Sequence, residues 1–144
     1  MTEKSRAKSP DTYLLDTSAL LTLIENEPGA DRVEVILRTE EVVIPCTALL
    51  EVYYVTRRRQ GEAEADRRYA MLKVLNATIL WELDEPTLLR AARIKSTYRL
   101  SFADAIAAAM AAQNDAVLVH KDPQFDALVG QVRLENLPYK VTRA

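Results

Sequence analysis

Asp16, Glu51, Asp104 and Asp122 are the residues of this 144-residue chain best placed to do chemistry. Two of them follow short apolar runs: Tyr13-Leu14-Leu15 leads into Asp16-Thr17-Ser18, and Ala116-Val117-Leu118-Val119 leads into His120-Lys121-Asp122. The other two interrupt apolar helical patterns. Glu51 has Ala48 and Val55 one turn away on its own side. Asp104 shares a side with Ala107, Ala108 and Ala111, whose small side chains are expected to leave room for a hydrated ion and a phosphate. Two carboxylates ~4 Å apart repel by about 4 kcal/mol at an effective dielectric of 20. Four gathered at one place therefore need protons or a cation. All-oxygen ligation selects Mg2+ or Mn2+ over zinc. Such an ion activates water and relieves phosphoryl charge, which points to phosphodiester hydrolysis.

Each acid also has an ordinary role. Asp16 suits a helix start, and Asp104, three residues after Ser101, suits a capping box. Glu51 is also a fitting partner for Arg58 on a half-exposed helix, and Asp122 before Pro123 suits a turn. The scarce residues narrow the chemistry by exclusion. One Cys allows no internal disulfide and no Cys-rich zinc site, one His excludes the H-E-x-x-H zinc motif, and three scattered Gly form no phosphate-binding loop. Nineteen basic against 21 acidic side chains, net charge −2, exclude a polybasic nucleic-acid coat without excluding a local basic patch.

The elements that must position these acids follow from periodicity. Strands are expected at Tyr13–Leu15, Val42–Ile44, Thr78–Leu83, Ala116–Val119 and, at an edge, Val132–Leu134. Helices are expected from Asp16 to about Pro28, over Asp31–Arg38, Thr47–Gln60 (ended by Gly61) and Glu62–Leu75. Further helices run from the Asp84 cap to Tyr98 and from the Ser101 cap over Phe102–Gln113, with one more between the last two strands. The strands are continuously apolar, as when helices cover both sheet faces. The fold class is therefore α/β: a three-layer α-β-α arrangement around a central, mainly parallel sheet of four to five strands. Ligands bind beyond the carboxyl ends of such strands, where Asp16 and Asp122 fall. Residues 1–10 are polar and read as a disordered tail, with 11–144 as one domain. No apolar stretch is long enough to span a membrane, and no secretory signal is present, so a cytoplasmic location is expected.

Four motifs, in this order and spacing, carry a family resemblance: L-L-D-T-S-A-L (Leu14 to Leu20), T-A-L-L-E-V (Thr47 to Val52), S-F-A-D-A-I-A-A-A (Ser101 to Ala109) and H-K-D-P-Q-F (His120 to Phe125). From Tyr13 to Val141 the chain resembles a PIN (PilT N-terminal) domain, most closely the virulence-associated protein C (VapC) ribonuclease toxins of toxin–antitoxin pairs. The resemblance matches Asp16, Glu51, Asp104 and Asp122 to the family's acidic quartet. It implies a PIN-like fold and an endoribonuclease dependent on Mg2+ or Mn2+. RNA, transfer RNA included, is the implied substrate, cut to leave a 5′-phosphate and a 3′-hydroxyl. Thr17 and Ser18 stand for the family's hydroxyl after the first acid, and Asp126 is a candidate auxiliary acid or else a solvated helix residue. The last motif departs from the family's T-x-D, with His120 in the Thr position.

The resemblance further implies a homodimer and a cognate VapB-like antitoxin whose segment lies along the toxin and obstructs the acidic site. Apolar faces on the Thr47–Leu75 helical pair are the expected interfaces. RNA needs flanking cations: Arg57, Arg58, Lys95, Arg99 and Lys121 are the candidates, alongside Arg59, Arg67, Arg68, Arg90 and Arg93. Tyr53, Tyr54 and Tyr98 are candidates for base stacking. Two other readings stay open: a PIN nuclease of RNA processing without an antitoxin, and a catalytically silent RNA- or protein-binding module.

Overall fold

The computed structural model describes residues 11–138. The expected tail at 1–10 and the last residues, 139–144, lie outside that range. The chain begins with β1 (Thr12–Leu15), α1 (Thr17–Ile24) and α2 (Ala30–Thr39), followed by β2 (Glu41–Pro45). A helical hairpin comes next, α3 (Cys46–Gln60) and α4 (Glu62–Lys73), and then β3 (Thr78–Leu80). The chain continues through α5 (Glu85–Thr97), α6 (Phe102–Gln113), β4 (Val117–His120), a 3-10 helix (Pro123–Leu128) and β5 (Arg133–Asn136). The five strands form one sheet in the order β3-β2-β1-β4-β5, and every neighbouring pair is parallel.

Successive strand residues serve opposite faces, which explains the unbroken apolar runs. Leu14 and Leu118 point into one core with Ala91 and Ile94 of α5, Ala105 to Ala111 of α6, Phe125 and Leu128. Leu15 and Val119 point into the other, with Leu20 of α1, Ile36 of α2, Leu49 of α3 and Leu72 of α4. The architecture is thus the expected three-layer α-β-α. Gly61 sits between α3 and α4 at φ +94°, in the region that favours glycine, and lets the chain reverse there.

Three expectations are corrected. β3 stops at Leu80, not Leu83, because its partner β2 ends at Pro45, directly opposite Leu80, and leaves Trp81–Leu83 without a ladder. The connection between the last strands is a single 3-10 segment opened by Pro123, not an α-helix. Lastly, α4 ends at Lys73, short of Leu75, in a C-cap at Val74. Among the described residues no helix is long and apolar enough to cross a membrane.

Candidate active site

All strands are parallel, so the carboxyl ends of the adjacent β1 and β4 share one rim, and α6 begins above the same rim. Asp16 caps α1 immediately after β1. Its Oδ1 accepts the Ala19 amide at 2.8 Å and the Ser18 hydroxyl at 2.7 Å. The side chain is almost wholly buried, and burial, reinforced by the charges of Asp104 and Glu51, pushes its pKa up to about 7. Asp104 lies in the first turn of α6, its amide donating to the Ser101 Oγ that caps the helix. Burial again comes first, with Asp122 and Glu51 adding repulsion, and raises Asp104 to about 6.

Glu51 faces α1 across the site. Thr17 Oγ1 donates to Glu51 Oε1 at 2.7 Å, so the expected Arg58 partnership gives way to a hydroxyl 34 residues distant in sequence. The other hydroxyl, Ser18 Oγ, accepts the Lys121 amide at 2.9 Å while donating to Asp16, and so ties the end of β4 to the first acid. Asp122 caps the 3-10 helix through the Gln124 amide at 2.9 Å. Its own amide donates to His120 Nδ1 at 3.1 Å. His120 is completely buried, packed against Phe125, and burial lowers its pKa; exposed Asp126 is one of the two acids whose charge it feels. Asp104 is the hub of the acids: it interacts electrostatically with Asp16, Glu51 and Asp122.

Among the described residues, no three acid, imidazole or thiolate groups converge closely enough to cage a metal ion by themselves. A cage is not what Mg2+ requires. It keeps several waters and takes one or two carboxylates plus substrate phosphates. An all-oxygen set in which burial and mutual repulsion raise two carboxyls to about 7 and about 6 fits a hard divalent cation of that kind. Ala107, Ala108 and Ala111 are buried and pack α6 onto the sheet. A cleft of about 330 Å³ opens between α3 and α6, lined by Thr47, Glu51, Tyr54, Ser101 and Phe102 among others.

The basic candidates divide. Arg58 and Arg99 are exposed. Arg57 is exposed but pairs with Glu62 at 3.3 Å. Lys95 lies over the Phe102 ring, 5.7 Å from its centroid. Lys121 does not face outward: its Nζ is 3.2 Å from Glu27 and only a tenth of the side chain is exposed. Arg68 is likewise withdrawn. The expected Glu64 pair exists at 2.9 Å, but the guanidinium is buried and also reaches Glu25 at 3.2 Å and Thr56 at 3.4 Å, joining α4 to α1 and α3. Of the tyrosines, Tyr53 donates to Asp66 and Tyr98 accepts from Gln131, while Tyr54 stands exposed at the cleft. Phe102, 76% exposed on the opposite wall, was not singled out by periodicity, although an apolar residue directly after the Ser101 cap marks the position.

A model of the PIN domain matches residues 13–130, and the chain belongs to the PIN-domain family. Among curated proteins, none matches the sequence. Solved structures share the fold at low identity. The VapBC2 structure from Rickettsia felis, bound to a DNA fragment from their promoter, contains a chain 16% identical, with TM-score 0.73, covering 88% of this chain and 99% of that one. VapBC-1 from nontypeable Haemophilus influenzae gives 20% identity and TM-score 0.69 over 87% and 97%. Mycobacterium tuberculosis VapC20, a sarcin–ricin loop cleaving toxin, gives 17% and 0.66 over 83% and 96%.

Proposed function

We propose that this chain is an endoribonuclease that hydrolyses RNA phosphodiester bonds with a divalent cation, Mg2+ or Mn2+, and that it is the toxin of a type II toxin–antitoxin pair. The observation that supports the reading is the electrostatic coupling of Asp104 to Asp16, Glu51 and Asp122 at one rim of the sheet, with burial first and that repulsion next raising Asp16 to about 7 and Asp104 to about 6. A buried carboxyl held that far up is at odds with a purely structural cap and is relieved by a cation.

Asp16, Glu51, Asp104 and Asp122 would hold the ion, directly or through water. Bound there, the cation supplies an activated water and charge relief on the phosphoryl group. The protein's own part is positional. Ser18 fixes Asp16, Thr17 fixes Glu51, and Ser101 fixes the turn that carries Asp104. The cleft between α3 and α6 admits the RNA strand beside Glu51, with Tyr54 and Phe102 offering faces for unpaired bases. Exposed Arg58 and Arg99 supply the phosphate contacts that an acidic centre lacks. The likeness to chains of VapBC complexes supports a VapB-like antitoxin as partner, and the sarcin–ricin loop activity of the M. tuberculosis relative supports structured RNA as substrate. The apolar side chains Leu50, Leu88 and Phe102, all substantially exposed, suit a protein interface, a homodimer included.

The deciding experiment is RNA cleavage with and without Mn2+, comparing the natural chain with Asp104→Asn. Metal-dependent cleavage, lowered on the order of 100-fold or more in the variant, is expected, since even residues that only support metal ligands cost 10–100-fold when replaced. Cleavage that survives the substitution, or that ignores chelation, refutes the mechanism. Co-expression with the antitoxin-like product of a neighbouring reading frame tests the pairing by rescue of growth.

A further inference from the structure

We propose that His120 is a positioning residue that sets the orientation of Asp122 by accepting its backbone amide, so that the carboxylate is held toward Asp104 and the site's cation. The proposal rests on the metal-site reading above.

His120 ends β4, on the same sheet face as Leu118 and therefore toward α6. Three consecutive residues there are anchored by backbone groups. The His120 carbonyl accepts the Leu137 amide at 2.8 Å, the Lys121 amide goes to Ser18 Oγ at 2.9 Å, and the Asp122 amide goes to His120 Nδ1 at 3.1 Å. In the third bond the side chain of one residue accepts the amide two positions later. Asn, Asp, Ser and Thr build turns in this way, and here an imidazole does it. An accepting Nδ1 carries a lone pair, so the ring is neutral with its proton on Nε2. That Nε2 is buried and, among the described residues, has no hydrogen-bond partner.

Burying a polar group without a partner is costly, and a leucine at this position would avoid it. What the ring provides in return is a rigid acceptor. Its far side lies against fully buried Phe125, with centroids 4.7 Å apart and planes tilted 55°, so the imidazole is wedged between the strand end and the 3-10 helix. Asp122 caps that helix through Gln124. With the amide on one side and the cap on the other both tied, the Asp122 backbone has one orientation.

Two substitutions separate positioning from packing. His120→Phe keeps an aromatic ring against Phe125 and removes the acceptor. His120→Asn removes the ring and restores a side-chain oxygen for the Asp122 amide. Mn2+ affinity, read by titration of the ion's magnetic resonance signal, is expected to fall 10–100-fold in His120→Phe and to stay within a few-fold of the natural protein in His120→Asn. Hydrogen exchange of the Asp122 amide in metal-free protein gives the second readout, with protection in the natural chain and in His120→Asn but not in His120→Phe. If His120→Phe keeps both the Mn2+ affinity and the amide protection, the proposal is wrong. Should the natural chain take up no Mn2+, the metal-site reading fails instead. The exchange pattern then decides the positioning role separately: an Asp122 amide equally protected in all three proteins overturns it.

Discussion

Replacing Asp16 by Asn is expected to stabilise the metal-free protein at pH 8 while abolishing its response to metal. Asp16 is raised from an ordinary 3.8 to about 7, chiefly by burial and then by Asp104 and Glu51. A difference of that size is about 4 kcal/mol between its two protonation states. For an acid raised on folding, the favourable contribution is fully present below about pH 4 and is lost as pH rises toward 7. Above that, the folded chain bears the whole cost of a buried charge. An amide keeps an Oδ1 that can accept from Ser18 and Ala19, but it brings an NH2 group into a buried position, a charge on the order of 1–2 kcal/mol against the gain. A net gain of about 2 kcal/mol remains, which for a chain this long raises the melting temperature by roughly 4–8 °C. Mn2+ at a hundredfold excess over its dissociation constant adds about 2.7 kcal/mol to the natural protein, so the order of the two reverses. The assay is a thermal melt of both proteins from pH 4 to 8, in chelator and in Mn2+. An Asp16→Asn protein that melts at or below the natural one at pH 8 in chelator, or gains as much from Mn2+, refutes the reasoning.

Arg68→Met is expected to cost about 2–3 kcal/mol in urea unfolding, because it removes a buried guanidinium shared by Glu25, Glu64 and Thr56; RNA affinity at fixed salt should not change, and a loss of affinity with intact stability would return Arg68 to the binding surface. Arg58→Gln and Arg99→Gln should each reduce the slope of log affinity for RNA against log salt by about 1. Lys121→Gln should leave that slope unaltered, since its ammonium is turned onto Glu27.

The layers and the parallel sheet were legible in the sequence because each rests on a local pattern: apolar strands, caps at Asp84 and Ser101, and a glycine at the hairpin. The acids at the ends of β1 and β4 were legible for the same reason, since parallel topology puts both at one rim. What local pattern does not hold is the wiring between distant segments. Thr17 meets Glu51 across 34 residues, and Lys121 meets Ser18 across 103. Arg68 reads as a surface i,i+4 partner of Glu64, and only the tertiary fold brings Glu25 and Thr56 to it and buries it. The alanines of α6 were compatible with either a partly open or a buried face, and the structure buries Ala107, Ala108 and Ala111 against the sheet.

Three of the four acids keep their ordinary roles, Glu51 being the exception with Thr17 in place of Arg58. Asp16 is a helix cap, Asp122 caps the 3-10 helix, and Asp104 sits in a first turn. A helix N-terminus favours a negative charge by roughly 0.3–1 kcal/mol, so capping alone lowers a carboxyl's pKa. Asp84 behaves that way: it caps α5, lies exposed, and is lowered first by hydrogen bonding with the Thr87 side chain and then by the Thr87 amide. Asp16 has the same local role and two accepted hydrogen bonds, yet moves the opposite way, to about 7. The difference between these two caps is burial and the company of Asp104 and Glu51, neither of which a capping motif encodes. Within this chain Asp84 is the internal control: the same cap, left exposed and away from other acids, keeps a lowered pKa, so the rise at Asp16 comes from burial and from Asp104 and Glu51 and is what the proposed metal-binding role draws on.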